Sequence, residues 1–265
     1  MNSVDITSRA GEPAVRITRV ASTRWQAVEN DLVVGHGDLS RRPDGRLFVS
    51  IDAWHDPVFD HLATAMLAEL HRPLHTVVDE SDTGLLSRWE RAGFTSRRRE
   101  WEYRVPTDPR ITGLRAVLPP PDITIVPAGL AKEEPLRVVD RVIRDEVEAS
   151  IGWQEMPAEI LRGPDRDTVG DTSKYVAAAQ SDRYVGLLRV VRVTRLPRIG
   201  LIAVQADQHR RGIARAMLAH TLADLHDRGI DTASTEVNES NAAATALFEG
   251  IGAQRVSSNL ELVLR

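Results

Sequence analysis

The chain has 265 residues, a formal net charge of −4 and no cysteine. Its length suits two domains of roughly a hundred residues or more; the mixed charge argues against a nucleic-acid partner, and the missing cysteines exclude disulfides, thiolate metal sites and an acyl-cysteine intermediate. Met1 to Pro13 is polar, without the apolar stretch of a signal peptide, and no run reaches membrane-spanning length, so a soluble, cytoplasmic protein with no membrane partner, monomeric or homodimeric, is expected.

In chain order, Val33–Ser40 and Arg46–Ala53 read as a hairpin around the turn Arg42-Pro43-Asp44-Gly45. A loop from Trp54 to Asp60 follows, then Thr76–Asp82 and a helix ending Trp89-Glu90-Arg91-Ala92-Gly93-Phe94. Pro73 breaks any helix between His71 and His75, and the spacing of His55 and His61 puts them on different helical faces, so no metal is expected. Arg97-Arg98-Arg99 reads as a solvated, edge-protecting run before an alternating strand, Glu100–Val105, in which Trp101, Tyr103 and Val105 share a face.

Val105 to Asp122 is rich in proline and turn residues, and Pro119-Pro120-Pro121 favours an extended spacer. The expected division is a domain over residues 1–105, a linker over 106–121 and a second domain over 122–265. In the second half a strand, Ile123–Pro127, precedes an amphipathic helix, Glu133–Ala149, with Leu136, Val139, Val142, Ile143 and Val147 at helical spacing. After Gly152–Pro157 and a short helix near Ala158–Leu161 come strands over Lys174–Ala179, Tyr184–Thr194, Ile199–Val204, Thr232–Val237 and Arg255–Leu264.

The segment after Val204 carries the chemistry. A basic loop ending Arg210-Arg211-Gly212-Ile213-Ala214 opens a long helix. A helix start leaves backbone N–H groups unpaired and about half a positive charge at its mouth. Gly212 lets a bulky polyanion approach, and Arg210, Arg211 and Arg215 add side-chain charge, so a phosphorylated ligand is expected. One glycine, no lysine and no hydroxyl for magnesium make a nucleotide P-loop or a dinucleotide fold a poor match.

Strand, [QR]-x-x-G-x-[GA] loop and helix resemble the acetyl-CoA pyrophosphate loop of the GCN5-related N-acetyltransferases (GNAT). Downstream, Thr235-Glu236-Val237-Asn238-Glu239-Ser240-Asn241 leading into AAATALFEGIGAQRV resembles the family's next strand and helix, in the family's order. The resemblance implies an α/β fold of α+β type and, as co-substrate, acetyl-CoA. Ile202, Ala203 and Val204 would present backbone groups to the pantetheine arm and acetyl carbonyl, and His209 to Arg215, Ile213 and Ala214 included, would cradle the pyrophosphate. His209 stands where the pattern has Gln or Arg. Asn241 would join strand to helix and contact the cofactor, or serve simply as a helix N-cap.

An amine acceptor, whether a small molecule or a protein N-terminus or lysine, is mostly protonated at neutral pH, so a carboxylate base or a desolvating pocket must help it react. Glu236 is the first candidate, at the position that acts as base in the ribosomal-protein N-terminal acetyltransferases, which the stretch Ala203–Gly229 also resembles; the alternative is a solvated strand residue. Glu155, with Trp153, is a weaker candidate for substrate contact. The family's tyrosine that protonates the leaving thiolate falls at Phe248, which has no proton to give: either the thiolate leaves without direct protonation, or water or another residue serves, or the domain is an acyl-CoA sensor or scaffold with little transferase activity, which stands as the alternative function.

The first half carries a fainter copy. Val78-Asp79-Glu80-Ser81-Asp82 aligns with Val237-Asn238-Glu239-Ser240-Asn241, and Trp89–Phe94 with Phe248–Ala253. In place of the basic loop stands Trp54-His55-Asp56-Pro57-Val58-Phe59-Asp60, with no glycine and two acids, which would repel phosphate. Two tandem GNAT-like domains are expected, each a mixed, largely antiparallel sheet flanked by helices, the first degenerate and without a CoA loop. This layout is similar to that of mycothiol-synthase-like acetyltransferases.

Overall fold

The computed structural model describes residues 3–5, 15–42, 44–150, 152, 169–191 and 196–265. The chain divides into two compact units: Met1–Arg99 with Ser258–Arg265, and Glu100–Ser257. These limits differ from the expected ones at both ends. Residues 258–265 belong to the first unit because Leu260, Leu262 and Leu264 are buried in its core. The proline-rich stretch belongs to the second because Leu114 is buried in that core, and Thr107 donates its N–H to the Asp231 carbonyl (3.1 Å).

In the first unit an antiparallel run comprises β1 (Ser3–Asp5), β2 (Arg16–Ala21), β3 (Arg24–Glu29), β4 (Leu32–Arg41) and β5 (Leu47–Ala53). β2 and β3 are additions to the expected elements; their inward positions are filled by Ile17, Trp25 and Ala27. Helix α1 (Asp56–Glu69) buries Val58, Phe59, Leu62, Ala63 and Met66. It lies so close to β4 that a Cβ on Gly37 would sit 2.2 Å from the Met66 sulfur, so any larger residue there would have to displace the Met66 side chain. β6 (Leu74–Asp79) pairs in parallel with β5 only at Leu47–Leu74 and Phe48–His75. Helix α2 (Thr83–Arg91) adds Trp89, which meets Phe59 edge-on at 5.0 Å and Phe94 at 4.8 Å. The chain's last strand, β13 (Gln254–Leu264), runs antiparallel to β6 over Asn259–Leu264.

The expectation for Arg97-Arg98-Arg99 is corrected at the start of β7 (Thr95–Pro106). Arg98 is 5% exposed and Arg97 16%, and both reach Glu261 of β13, at 3.1 and 2.9 Å. Arg99 forks onto Glu80 at 2.6 and 2.8 Å. The Arg97 and Arg98 guanidinium groups are covered by a carboxylate that lies far away in sequence, so no local pattern distinguishes them from a solvated run.

In the second unit, residues 100–106 of β7 lie antiparallel to β12 (Thr232–Asn238), with Glu236 opposite Glu102. Next come β11 (Arg198–Val204), parallel to β12, then β10 (Arg183–Val191), β9 (Tyr175–Gln180) and β8 (Ile123–Val126), all antiparallel. A short helix α3 (Pro109–Thr112) precedes β8. Two cores form. One joins α5 (Ile213–Asp227) and Phe248 of α6 (Ala242–Glu249) to Tyr103, Val105, Ala233 and Val237. The other packs Leu136, Val139 and Ile143 of α4 (Glu133–Ser150) on Tyr175, Ala177, Leu187 and Leu201. The expected helix near Ala158–Leu161 and residues 192–195 fall outside the described residues. No described helix is long and apolar enough to cross a membrane.

Local geometry recurs between the halves. Asp79 Oδ1 accepts from Ser81 N–H and hydroxyl, as Asn238 Oδ1 does from Ser240. Asp82 caps α2 through the Leu85 N–H (2.9 Å), and Asn241 caps α6 through the Ala244 N–H (3.0 Å). Both helices end on a left-handed glycine, Gly93 (φ 94°) and Gly252 (φ 81°).

Candidate functional site

β11 and β12 pair in parallel only at Arg198–Ser234 and Ile199–Thr235, and beyond that point they part. Ile202, Ala203 and Val204 keep β10 on one side, opposite Leu188, Leu187 and Gly186, while the side toward β12 has no ladder partner. Backbone groups on that side are therefore available to an extended ligand. His209 closes the end of this edge: its Nε2–H donates to the Val204 carbonyl at 2.7 Å, which fixes the ring tautomer.

From this edge the chain enters the basic loop. Arg210 (φ 60°) and Gly212 (φ 84°) are both left-handed, and such alternation turns successive N–H groups toward a common centre. A Cβ on Gly212 would meet nothing within 4 Å, so it is φ, not space, that calls for glycine. The first helical bond of α5 runs from the Ala216 N–H to the Gly212 carbonyl (2.9 Å). Among the described residues, the N–H groups of Arg210, Arg211, Gly212, Ile213, Ala214 and Arg215 have no protein acceptor. The side chains divide. Arg211 Nη2 donates to both Asp122 carboxylate oxygens, at 2.6 and 2.8 Å, and Nη1 reaches Gln208, so its charge is already matched. Hydrogen bonds from Arg211 and Gln180 hold the Asp122 carboxyl down at about 2. Arg210 and Arg215 are exposed and have no acidic partner among the described residues.

The corresponding loop of the first unit is built differently. Val58 and Phe59 N–H groups both turn back to the His55 carbonyl, at 3.1 and 3.3 Å, and Pro57 has no N–H. Asp56 and Asp60 stand in the first turns of α1, where they meet Arg88 (3.0 Å) and Arg91 (3.6 Å). The helix start is occupied by the chain's own carboxylates.

Glu236 lies in β12, 25% exposed, with Oε1 3.3 Å from Arg198 Nη1. Directly opposite on β7 is Glu102, which accepts from Ser257 Oγ (2.7 Å) and lies 3.3 Å from Arg104. Residues opposite each other in a ladder share a face, so two carboxylates, each with an arginine, stand side by side. Sequence reading missed Glu102. Its alternation was visible, but its pairing with β12 spans more than half the chain.

Asn241 is the N-cap of α6. Phe248 is 1% exposed, stacked on Tyr103 at 6.3 Å between ring centres, and presents almost no surface to a cofactor. Trp153 and Glu155 lie outside the described residues. Among the described residues no group of three His, Asp or Glu side chains is placed to hold a metal ion.

Residues 157–261 match the family model of the acetyltransferase (GNAT) domain. The ribosomal protein bS18 alanine N-acetyltransferase of Escherichia coli strain K12 is 49% identical over 51 residues, 19% of this chain and 34% of that protein. Mycothiol acetyltransferase of Salinispora arenicola is 41% identical over 68 residues, 24% of this chain and 22% of that protein. The match therefore spans about a third or less of these curated relatives. The solved tandem GNAT protein from the clavulanic acid biosynthesis pathway superposes with a TM-score of 0.64 at 14% identity, over 91% of this chain and 82% of its own. At that identity the likeness is one of fold: a mixed α/β sheet flanked by helices.

Proposed function

We propose that the second unit, built on a GNAT acetyltransferase domain, transfers an acetyl group from acetyl-CoA to an amine. The observation that carries this reading is the run of six N–H groups without acceptors, Arg210 to Arg215, at the end of a strand edge left open by the parting of β11 and β12. Ile202, Ala203 and Val204 hold the acyl arm, and the loop and helix start hold the pyrophosphate, with Arg210 and Arg215 supplying side-chain charge and Arg211 acting through its backbone. Glu236, steadied by Arg198, takes the proton of the acceptor ammonium; the neutral amine attacks the thioester carbon, a C–N bond forms, the nitrogen gives up its second proton to the departing sulfur, the C–S bond breaks, and CoA leaves as the thiol. Phe248 contributes packing only.

The first unit is a second GNAT-like copy that has lost its phosphate cradle. Its repeated caps, its repeated strand parting and the acids at Asp56 and Asp60 support this reading. The acceptor is a primary amine, as in the bS18 alanine named for the bacterial relative. A sensor or scaffold is the second reading, favoured by the absence of a hydroxyl at Phe248. Calorimetry with acetyl-CoA beside thiol release over an amine panel separates the two: binding without release above hydrolysis overturns the enzyme, and absence of binding overturns both.

A further inference from the structure

Beside α5, the second unit has a cleft that acyl transfer does not use. Its apolar walls come from three places: the segment after α3 supplies Leu114 and Val117, β8 supplies Ile125, and α5 supplies Ala216, Ala219 and Ala223. The cleft holds about 370 Å³, within the range of small-molecule sites. Sequence accounts for the space. Positions of α5 that fill the core carry Met217, Leu218, Leu222 and Leu225, whereas those that meet the cleft are alanines three and four residues apart, on one face of the helix. A side chain that ends at Cβ leaves the space toward Val117 and Ile125 open.

Two polar side chains stand among these apolar ones: Arg115, which is exposed, and His220, which is half-buried. Neither side chain has a hydrogen bond or ion pair among the described residues. The carboxylates next in sequence to lining residues are engaged elsewhere, Asp108 by Arg110 at 3.1 Å and Asp224 by Arg228 at 2.8 Å. A guanidinium presents a fork of donors that fits a carboxylate, and an imidazole has an N–H in either tautomer. An anionic head on these two groups and an apolar body against the alanines therefore complement the cleft. Leu118, between the lining residues Val117 and Pro119, is 83% exposed, so apolar surface continues outside it. The length of the body follows from the helix. From Ala216 to Ala223 the axis rises about 10 Å, and an extended hydrocarbon chain advances about 1.25 Å per carbon, so about eight carbons span it.

We propose that this cleft binds a medium-chain carboxylic acid, its carboxylate on Arg115 and His220 and its chain along Ala216, Ala219 and Ala223. The test titrates octanoate, butanoate and 1-octanol into the full chain, for the natural protein, Arg115→Ala and Ala219→Trp. Acetyl-CoA is left out, so the outcome is separate from that of the transferase reading. Octanoate should bind saturably and at least about tenfold more tightly than butanoate, which buries fewer methylenes. Arg115→Ala should weaken octanoate about fivefold or more and leave 1-octanol within about twofold. Ala219→Trp fills the cleft and should abolish binding of both; if it folds poorly, Arg115→Ala, at an exposed position, carries the test. In NMR spectra of alanine methyl groups, octanoate should move the signals of Ala216, Ala219 and Ala223. No saturable octanoate binding, unchanged octanoate affinity in Arg115→Ala, equal losses of octanoate and 1-octanol in that variant, or methyl shifts that spare these three alanines would each overturn the proposal. So would a dimer that Ala219→Trp dissociates and octanoate leaves intact, since the occupant would then be a second copy of the chain.

Discussion

Gly212 offers the sharpest test of the anion cradle, because two substitutions there separate strain from charge. At φ 84° any side chain is strained, at a cost of about 1 to 2 kcal/mol. A Cβ meets no heavy atom within 4 Å, so Gly212→Ala adds strain and nothing else. For a unit of this size that corresponds to a fall of roughly 2–4 °C in Tm per kcal/mol. Gly212→Glu carries the same strain and also sets a carboxylate at the mouth of α5. About 5 Å from a phosphate, in a setting between protein and water, each charge pair costs about 1 to 3 kcal/mol. Acetyl-CoA affinity should therefore fall about thirtyfold or more in Gly212→Glu and less than threefold in Gly212→Ala. Thermal unfolding and calorimetry on the same preparations read both quantities. Equal affinity losses in the two variants would mean that loop shape, not anion binding, governs the effect, and no loss in either would place the pyrophosphate elsewhere.

Other outcomes follow from the same site. Glu236→Gln should lower kcat by about a hundredfold or more with little change in acetyl-CoA Kd, measured by thiol release and calorimetry; a variant with full activity would remove Glu236 as the base. Phe248→Tyr should lose about 1 to 3 kcal/mol of stability without gaining rate, since a hydroxyl at a position 1% exposed leaves water behind; faster turnover would show that the hydroxyl reaches the thiolate. The Asp122 carboxyl, lowered from 3.8 to about 2, should keep its pairing with Arg211 above about pH 4 and lose it as pH falls through 2. Carboxyl carbon shifts followed by NMR read this directly, and a midpoint at the ordinary value would break the pair.

What could be read in advance followed the reach of local chemistry. Helix α4 and strands β8, β11 and β12 lie within a residue or two of the expected limits, because apolar spacing and turn residues act over one or two turns of chain. The loop at Gly212 was legible for the same reason. Partners drawn from distant sequence were not. Arg97 and Arg98 looked solvated because Glu261, which buries them, lies over a hundred and sixty residues on. Arg211 looked free for phosphate because nothing near it in sequence announces Asp122. Glu102 escaped notice until β7 and β12 were seen to be neighbours.

The membership of β7 and β13 bears on how the molecule is made. Residues 100–106 leave the first half to complete the sheet of the second unit, and residues 258–264 return to the first. A chain emerging from the ribosome therefore makes most of the first unit early but cannot supply Leu260, Leu262 and Leu264 to its core until the whole second unit has been made. Until then the free edge of β6 waits beside an incomplete core. No single cut yields both units whole: one after Arg99 leaves the second unit entire but takes Leu260, Leu262 and Leu264 from the core of the first.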